Sequence, residues 1–185
     1  SGSGFTTLYN YDRQGNMLEI SYPEGSKTLY NYNSAGLLET LSYFEPEIAT
    51  PFLIVEDIDY APTGAVSYLN FNNNSESFYT YNPDQLYRLI NIQTTAPNTT
   101  IQNIAYTYDP VGNITQIVDT SKTNAAKTVN YTYDDLHRLK SATATNTGNN
   151  QNYTQTYTYS PIGNITNKSD IGTYLYQNTG NANPH

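Results

Sequence analysis

Histidines and clustered carboxylates are the side chains of this sequence that could carry acid–base or metal chemistry. The histidines are His137, which lies in a turn-like segment, and His185, the last residue. A general acid–base pair or a metal site needs several such groups at a defined separation. The densest group of acidic residues is instead typical of a solvated loop edge; it comprises Glu45, Glu47, Glu56, Asp57 and Asp59. The residues therefore predict no catalytic site, no metal site and no cofactor.

The composition excludes further classes of function. The formal net charge is −8, and the densest basic feature is the isolated pair Arg138 and Lys140, so a nucleic-acid backbone or an anionic membrane surface would find few cations to bind. The longest apolar run, Phe52 to Val55, suits a buried strand and is far shorter than a membrane span of about 18 residues. We expect no nucleic-acid partner and no membrane insertion. Cysteine is absent, which leaves the compartment open.

The tripeptide Tyr-x-Tyr recurs along the chain. We call its second tyrosine the anchor tyrosine, and successive anchors are 17 to 28 residues apart. The eight copies, one of which is degenerate, are Tyr9/Tyr11, Tyr30/Tyr32, Ile58/Tyr60, Tyr79/Tyr81, Tyr106/Tyr108, Tyr131/Tyr133, Tyr157/Tyr159 and Tyr174/Tyr176. A period of this length is the signature of a repeat protein.

Turn-forming residues follow each anchor tyrosine. Glycine occurs four residues later in most copies, at Gly15, Gly36, Gly64, Gly112, Gly163 and Gly180. His137 takes that place once, and the Tyr81 copy carries an insertion. Aspartate or asparagine often follows the anchor directly, as at Asp109 and Asp134, because such a side chain caps its own backbone at a turn, whereas glycine accepts a positive φ. This repetition favours a structural role for both aspartates over a catalytic one.

An apolar residue, which we call the return residue, comes six positions after the anchor. The return residues are Met17, Leu38, Val66, Ile114, Leu139 and Ile165. Each unit is therefore predicted to be strand, tight turn, strand, with both tyrosines on one face because strand side chains alternate. A further apolar residue three positions on, such as Ile20 after Met17, breaks the period of two. This spacing indicates a β-bulge or a strand covered on both faces.

The predicted fold class is all-β, with stacked antiparallel hairpins in a curved, spiralling sheet and little helix, since tyrosine and threonine suit pleated surfaces. Residues 1–4 are typical of a flexible linker, residues 5–180 form the segment of eight units, and residues 181–185 form a tail. Four less regular segments are predicted to be hairpin tips: Phe44 to Asp57, Thr94 to Thr100, Thr120 to Lys127 and Ala142 to Asn152.

The repeated motif resembles a known family. The segments Tyr108-Asp-Pro-Val-Gly-Asn-Ile, Tyr133-Asp-Asp-Leu-His-Arg-Leu and Tyr11-Asp-Arg-Gln-Gly-Asn-Met are similar to the Tyr-Asp (YD) repeats of the Rhs family, which are shared with the B and C components of bacterial Tc toxins and with teneurins. The resemblance implies a spiralling β-sheet that closes as a hollow shell around a toxic C-terminal polypeptide. It also implies a bacterial protein that is secreted or displayed at the cell surface, with the rest of the shell and the enclosed polypeptide as partners.

Three features depart from the family pattern and predict irregular pairing: Ile58-Asp-Tyr60, the insertion at Gln85-Leu-Tyr87, and His137 in the glycine position. The self-cleaving aspartyl protease of the family's core domain has no recognisable counterpart, and residues 181–185 resemble the segment that leads into that core. Two alternatives to a non-catalytic scaffold stay open. Stacked tyrosines among amides also bind sugars, and open sheet edges bind other strands, including those of a second copy.

Overall fold

The computed structural model describes residues 4–48, 50–122, 124–146, 148 and 152–176. The predicted linker, apart from Gly4, the tail at 181–185 and Gly180 lie outside these residues. The chain divides into two compact units, Ser1–Ile101 and Gln102–His185. Both units contain antiparallel strands that follow one another across the sheet in chain order, so the predicted all-β fold of stacked hairpins is confirmed.

The first unit contains eight complete strands among its described residues. They are β1 (Leu8–Tyr11), β2 (Met17–Ser21), β3 (Lys27–Tyr32), β4 (Leu38–Phe44), β5 (Phe52–Tyr60), β6 (Val66–Phe71), β7 (Ser75–Asn82) and β8 (Arg88–Ala96). A 3₁₀ helix, Pro83–Gln85, separates β7 from β8.

The second unit begins within β9. Its strands are β9 (Thr99–Tyr108), β10 (Ile114–Asp119), β11 (Lys127–Tyr133), β12 (Leu139–Asn146), β13 (Tyr153–Tyr159), β14 (Ile165–Lys168) and β15 (Gly172–Thr173). Strand β9 starts at the end of the first unit and continues into the second.

Each repeat hairpin has the same bulge next to its turn. The anchor Tyr11 pairs with the return residue Met17, but the preceding Asn10 pairs with Glu19, so Leu18 is the extra residue. The same shift occurs beside the anchors of the other hairpins, from β3–β4 to β13–β14. Of the two explanations for the apolar spacing, the bulge is therefore confirmed, because one extra residue places positions three apart on the same face.

The turn chemistry follows from the residues after the anchor. The Asp12 carboxylate accepts hydrogen bonds at Oδ1 from the backbone N–H groups of Gln14 and Asn16, and Gly15 adopts a φ of 90°. His137 takes the glycine place with a φ of 60°, a left-handed conformation that costs a non-glycine residue about 1–2 kcal/mol. The turn nevertheless forms with histidine in the glycine position.

The two faces of the sheet differ in character. In the second unit the tyrosine face holds the buried core, in which Val129, Ala142 and Ala144 pack together with Tyr131 against them. The opposite face carries small polar side chains, as in the hydrogen bond of 2.6 Å between the hydroxyls of Thr132 and Ser141. Both tyrosines of a doublet therefore share the apolar face, as predicted.

Three of the four predicted hairpin tips are partly strand. Strand β5 begins at Phe52, and β12 continues to Asn146. Between Thr94 and Thr100, β8 continues to Ala96 and β9 begins at Thr99. The most buried residues of the second unit include Ala142 and Ala144, both assigned to a tip on composition. That prediction was wrong because alanine, which has little intrinsic strand preference, is the size that fits opposite a tyrosine in the neighbouring strand.

The expected irregular pairing is confirmed only in part. The insertion after Tyr81 is absorbed by the 3₁₀ helix and by Leu86, which has a φ of 58°, so that Tyr81 still pairs with Leu89. The degenerate Ile58/Tyr60 copy has, besides the usual bulge, a second register shift between Val55 and Asp57. The pairing of β4 with β5 also shifts, between Leu41 and Ser42, so irregularity concentrates on both sides of β5.

Candidate functional site

The anchor tyrosines connect each hairpin to the hairpin before it. Six of them donate their hydroxyl to the backbone carbonyl of the return residue in the preceding hairpin, at 2.7–2.9 Å. We call this bond the hydroxyl bridge. The donor–acceptor pairs are Tyr32–Met17, Tyr60–Leu38, Tyr81–Val66, Tyr133–Ile114, Tyr159–Leu139 and Tyr176–Ile165.

The hydroxyl bridge lies where the backbone ladder between neighbouring hairpins has ended. Between β12 and β13 the last pair of the ladder on this side is Ser141 with Thr156, two residues beyond Leu139. A carbonyl that is partly withdrawn from water needs a hydrogen-bond partner, and the Tyr159 hydroxyl supplies it at 2.8 Å. Phenylalanine could fill the same space but could not donate, so the bridge explains why the anchor is a tyrosine.

The rings of the anchor tyrosines are packed rather than displayed. Tyr60, Tyr81, Tyr133 and Tyr159 are half-buried, and burial is the main cause that raises the pKa of each hydroxyl above its ordinary value. A tyrosinate could not donate to the carbonyl, so only the protonated phenol can form the bridge. Exposure is greater at two other anchors: Tyr11 is 51% exposed and Tyr176 is 40% exposed.

This chemistry predicts alkaline unfolding. The folded state favours the neutral phenol, so its tyrosines bind protons more tightly than those of the unfolded chain, whose pKa is about 10. Stability is therefore full below about pH 10 and falls as the pH rises above it. Tyr68 adds to the effect, because its hydrogen bond to the Glu76 carboxylate raises its pKa to about 12. Ultraviolet absorbance should show tyrosinate formation together with loss of the β-sheet circular dichroism; full ionisation with the sheet intact would contradict the role of the bridges.

A second kind of contact joins two hairpins of the second unit. The Arg138 guanidinium binds the Asp134 carboxylate at 2.7 Å, donates through Nη1 to the Ser160 carbonyl of the next turn at 3.2 Å, and lies 4.6 Å from the ring centre of Tyr159. Its hydrogen bond and charge lower the pKa of Asp134. This contact was not predicted from the sequence, although the spacing of four residues between Asp134 and Arg138 is a signal for it.

The carboxylates weighed as chemistry-bearing residues are mostly exposed. Asp57 and Asp59 are exposed, and Glu56 accepts a hydrogen bond from the Asn70 amide at 3.1 Å. Glu45 and Glu47 are exposed in the connection between β4 and β5. Across the described part of the chain, no group of three or more acidic or histidine side chains could hold a metal ion.

The remaining signature residues surround the hydroxyl bridges. The first tyrosine of a doublet lies opposite the apolar residue that follows the bulge, as Tyr9 does with Ile20 and Tyr30 with Leu41. Asp109 and Asp134 cap their turns through Oδ1, as their sequence context predicted. The structure therefore assembles tyrosine, aspartate and glycine into one repeated joint. Among the described residues, no helix has the length and apolar character needed to cross a bilayer.

Comparison with known proteins finds relatives of this chain in sequence and in fold. The model of the RHS Repeat family matches residues 11–45. Toxin subunit YenC1 of Yersinia entomophaga is 32% identical over 143 residues, which cover 70% of this chain and 15% of that protein. The crystal structure of TcdB2-TccC3 superposes on 92% of this chain and 10% of its own, with a TM-score of 0.78 and 26% identity.

The related crystal structure of TcdB2-TccC3-Cdc42 gives a TM-score of 0.77 and 28% identity over 89% of this chain and 9% of its own. The chain thus spans only a small part of the length of these relatives. These matches, together with the recurring doublet and turn, show that the chain belongs to the Rhs/YD-repeat family.

Proposed function

We propose that this chain is a structural segment of an Rhs/YD-repeat shell, a non-catalytic wall that encloses a toxin or other polypeptide encoded further along its parent protein. The observation that carries the proposal is the hydroxyl bridge, which uses the anchor tyrosines to join neighbouring hairpins. A hairpin alone cannot bury its apolar face, so joined hairpins are what a continuous wall requires.

The family membership supports the same conclusion. The relative YenC1 is named a toxin subunit, and the match covers 15% of its length, a share that suits one section of a longer wall. In this proposal residues 5–180 are the repeat segment, and the doublets with their turn residues are its signature. The partners are the rest of the shell and the enclosed polypeptide, and the parent is a bacterial protein that is secreted or displayed at the surface.

Limited proteolysis of the parent protein tests the proposal. If the chain is part of an enclosing wall, the polypeptide that follows the repeats resists added protease while the wall is intact. The substitution Val129→Asp, which places a charge in the buried core of the second unit, is expected to expose that polypeptide to cleavage. The matched control is Asn130→Asp, since Asn130 is the exposed neighbour on the opposite face.

Two results would contradict an enclosing wall. One is a parent whose C-terminal polypeptide is cleaved at the rate of a free chain while the repeats stay folded. The other is equal protection in both variants although Val129→Asp has lost its β-sheet signal.

Carbohydrate binding is a second candidate function, favoured by one cavity of the first unit. This cavity of about 280 Å³ is lined by Phe52, Phe71, Asn72 and Asn73 among others, a combination of ring faces and amides that suits a sugar. Saturable binding of soluble oligosaccharides in calorimetry, lost in Phe52→Ala and kept in Phe78→Ala, would favour this function. Phe78 is a suitable control because both phenylalanines are 40% exposed and Phe78 lies outside the cavity.

Strand addition at an open edge is a third candidate. Every residue of β1 is exposed, and β1 pairs only with β2 among the described strands. Its free edge could pair with another part of the shell or with a second copy. Sedimentation of the isolated chain distinguishes a monomer from such an assembly.

A further inference from the structure

Two neighbouring turns of the second unit are connected by a side-chain hydrogen bond that lies outside the repeated joint. In the β9–β10 turn the Asp109 carboxylate accepts at Oδ1 from the backbone N–H of Asn113 and at Oδ2 from the Asn113 side-chain Nδ2, both at 2.8 Å. The same Nδ2 lies 3.1 Å from Nδ1 of His137 in the β11–β12 turn. Asp109, Asn113 and His137 therefore form a chain of hydrogen bonds from one turn to the next.

The chemistry of the three side chains decides which atom donates and which accepts in each of these hydrogen bonds. A carboxylate oxygen accepts, so the part of the Asn113 amide that faces Asp109 is its NH₂ group, which has two hydrogens and can only donate. The second hydrogen points to His137, and Nδ1 of that ring must accept it. The proton of the neutral ring is then on Nε2. The bond between Asn113 and His137 therefore forms only with the neutral imidazole that carries its proton on Nε2.

The residue at position 137 is not explained by its turn. The corresponding turn of the β9–β10 hairpin has Gly112, with a φ of 105°, while His137 adopts a φ of 60°. A left-handed histidine is less favourable than glycine, so the turn itself does not select it. The hydrogen bond to Asn113 is a contact that glycine could not make.

We propose that the bond between Asn113 and His137 is a pH-sensitive latch between adjacent turns, closed at neutral pH and opened when the imidazole takes up its second proton. Protonation places an N–H at Nδ1 directly against the NH₂ group of Asn113. The amide cannot reverse to accept from it, because its oxygen would then face the Asp109 carboxylate. Histidine is the side chain that can change its charge between about pH 5 and 8, so acidification is the condition that opens the latch.

Charged residues lie in both of the turns that the latch connects. His137 shares its turn with Asp134, Asp135 and Arg138, and the facing turn contributes Asp109. Hydrogen bonds lower the pKa of Asp134. At Asp109 burial acts to raise the pKa, but the hydrogen bonds that the carboxylate accepts outweigh it and the pKa is lowered. The turn on the other side, which begins at Ser160, offers its carbonyl to Arg138. Both engaged aspartates stay ionised throughout the range in which the imidazole titrates.

The dependence of stability on pH follows from the role of His137 Nδ1 as a hydrogen-bond acceptor. The closed latch requires the neutral imidazole. Stability from the latch is therefore present while the ring is neutral and is lost once acidification protonates it. Titration of the engaged aspartates contributes at lower pH, below about pH 4.

Nuclear magnetic resonance of the ¹⁵N-labelled chain tests the closed state. At about pH 7.5 the His137 ring should be the Nε2–H tautomer, and the side-chain NH₂ signals of Asn113 should shift with the same midpoint as the ring when the pH is lowered. His185→Ala should leave this titration unchanged, which assigns it to His137. An Nδ1–H tautomer, or Asn113 signals that stay fixed while the ring titrates, would overturn the proposal.

A double-mutant cycle with Asn113→Ala and His137→Gly measures the energy of the latch. Glycine fits the left-handed turn, so the His137→Gly variant should fold. We expect a coupling of about fivefold in the unfolding constant at about pH 7.5, which should fall to near onefold at about pH 5. A coupling of the same size at both pH values, or none at about pH 7.5, would show that the bond is not a latch.

Discussion

Replacing Tyr133 and Tyr159 together by phenylalanine is expected to lower the free energy of unfolding of the second unit by about 2–6 kcal/mol. Each substitution keeps the ring but removes the donor of one hydroxyl bridge, leaving the carbonyl of Ile114 or Leu139 without it. An unsatisfied, partly buried carbonyl costs about 1–3 kcal/mol, and two separate sites add. Native-state hydrogen exchange of the β10–β13 amides measures the loss directly.

Tyr157→Phe is the matched control for this prediction. Tyr157 lies two residues before Tyr159 on the same strand, but its hydroxyl donates to the side chain of Gln155 at 3.0 Å rather than to a neighbouring backbone. Its loss should cost no more than about 0.5 kcal/mol. If the double variant were as stable as this control, the anchor tyrosines would act through their rings alone.

Val129→Asp should be the most damaging single substitution in the second unit. Val129 is 6% exposed and packs with Ala142, Ala144 and the ring of Tyr131, so a carboxylate at this position would have neither water nor a partner. We expect a loss of at least about 3 kcal/mol, sufficient to unfold a unit of marginal stability. Circular dichroism with urea titration measures the change.

Asn130→Asp introduces the same charge one residue further along β11, on the opposite face. Asn130 is exposed and accepts a hydrogen bond from the Gln116 amide at 2.8 Å, a role that a carboxylate also fills. The change in stability should stay within about 0.5 kcal/mol. Equal losses in the two variants would mean that neither face of this sheet is a core.

The local architecture of the repeat could be derived from the sequence because its signals are local. The doublet specifies the face, the aspartate and glycine specify the turn, and the spacing of three between apolar residues indicates the bulge, as the pairing of Tyr11 with Met17 shows. These features depend on steric and hydrogen-bonding preferences of residues close together in the chain. The structure therefore reproduces them in hairpin after hairpin.

The parts that could not be predicted depend on neighbours distant in sequence. The acceptor of each hydroxyl bridge is a backbone carbonyl, which every residue possesses, so no residue type identifies Leu38 or Ile114 as the partner. The core position of Ala144 was hidden for a similar reason, because alanine is small for a core and is buried only by the strand beside it. Composition predicted a loop for the segment that contains Ala144, but this segment pairs with β11 and β13 as a strand.

A joint whose donor is a side chain and whose acceptor is main chain makes the repeats interchangeable. The acceptors in this chain are methionine, leucine, valine and isoleucine, yet the bond keeps nearly the same length. A duplicated or recombined hairpin would thus find a compatible neighbour at once, without a compensating change in the sequence next to it. Such a chain could lengthen or shorten in evolution by whole hairpins.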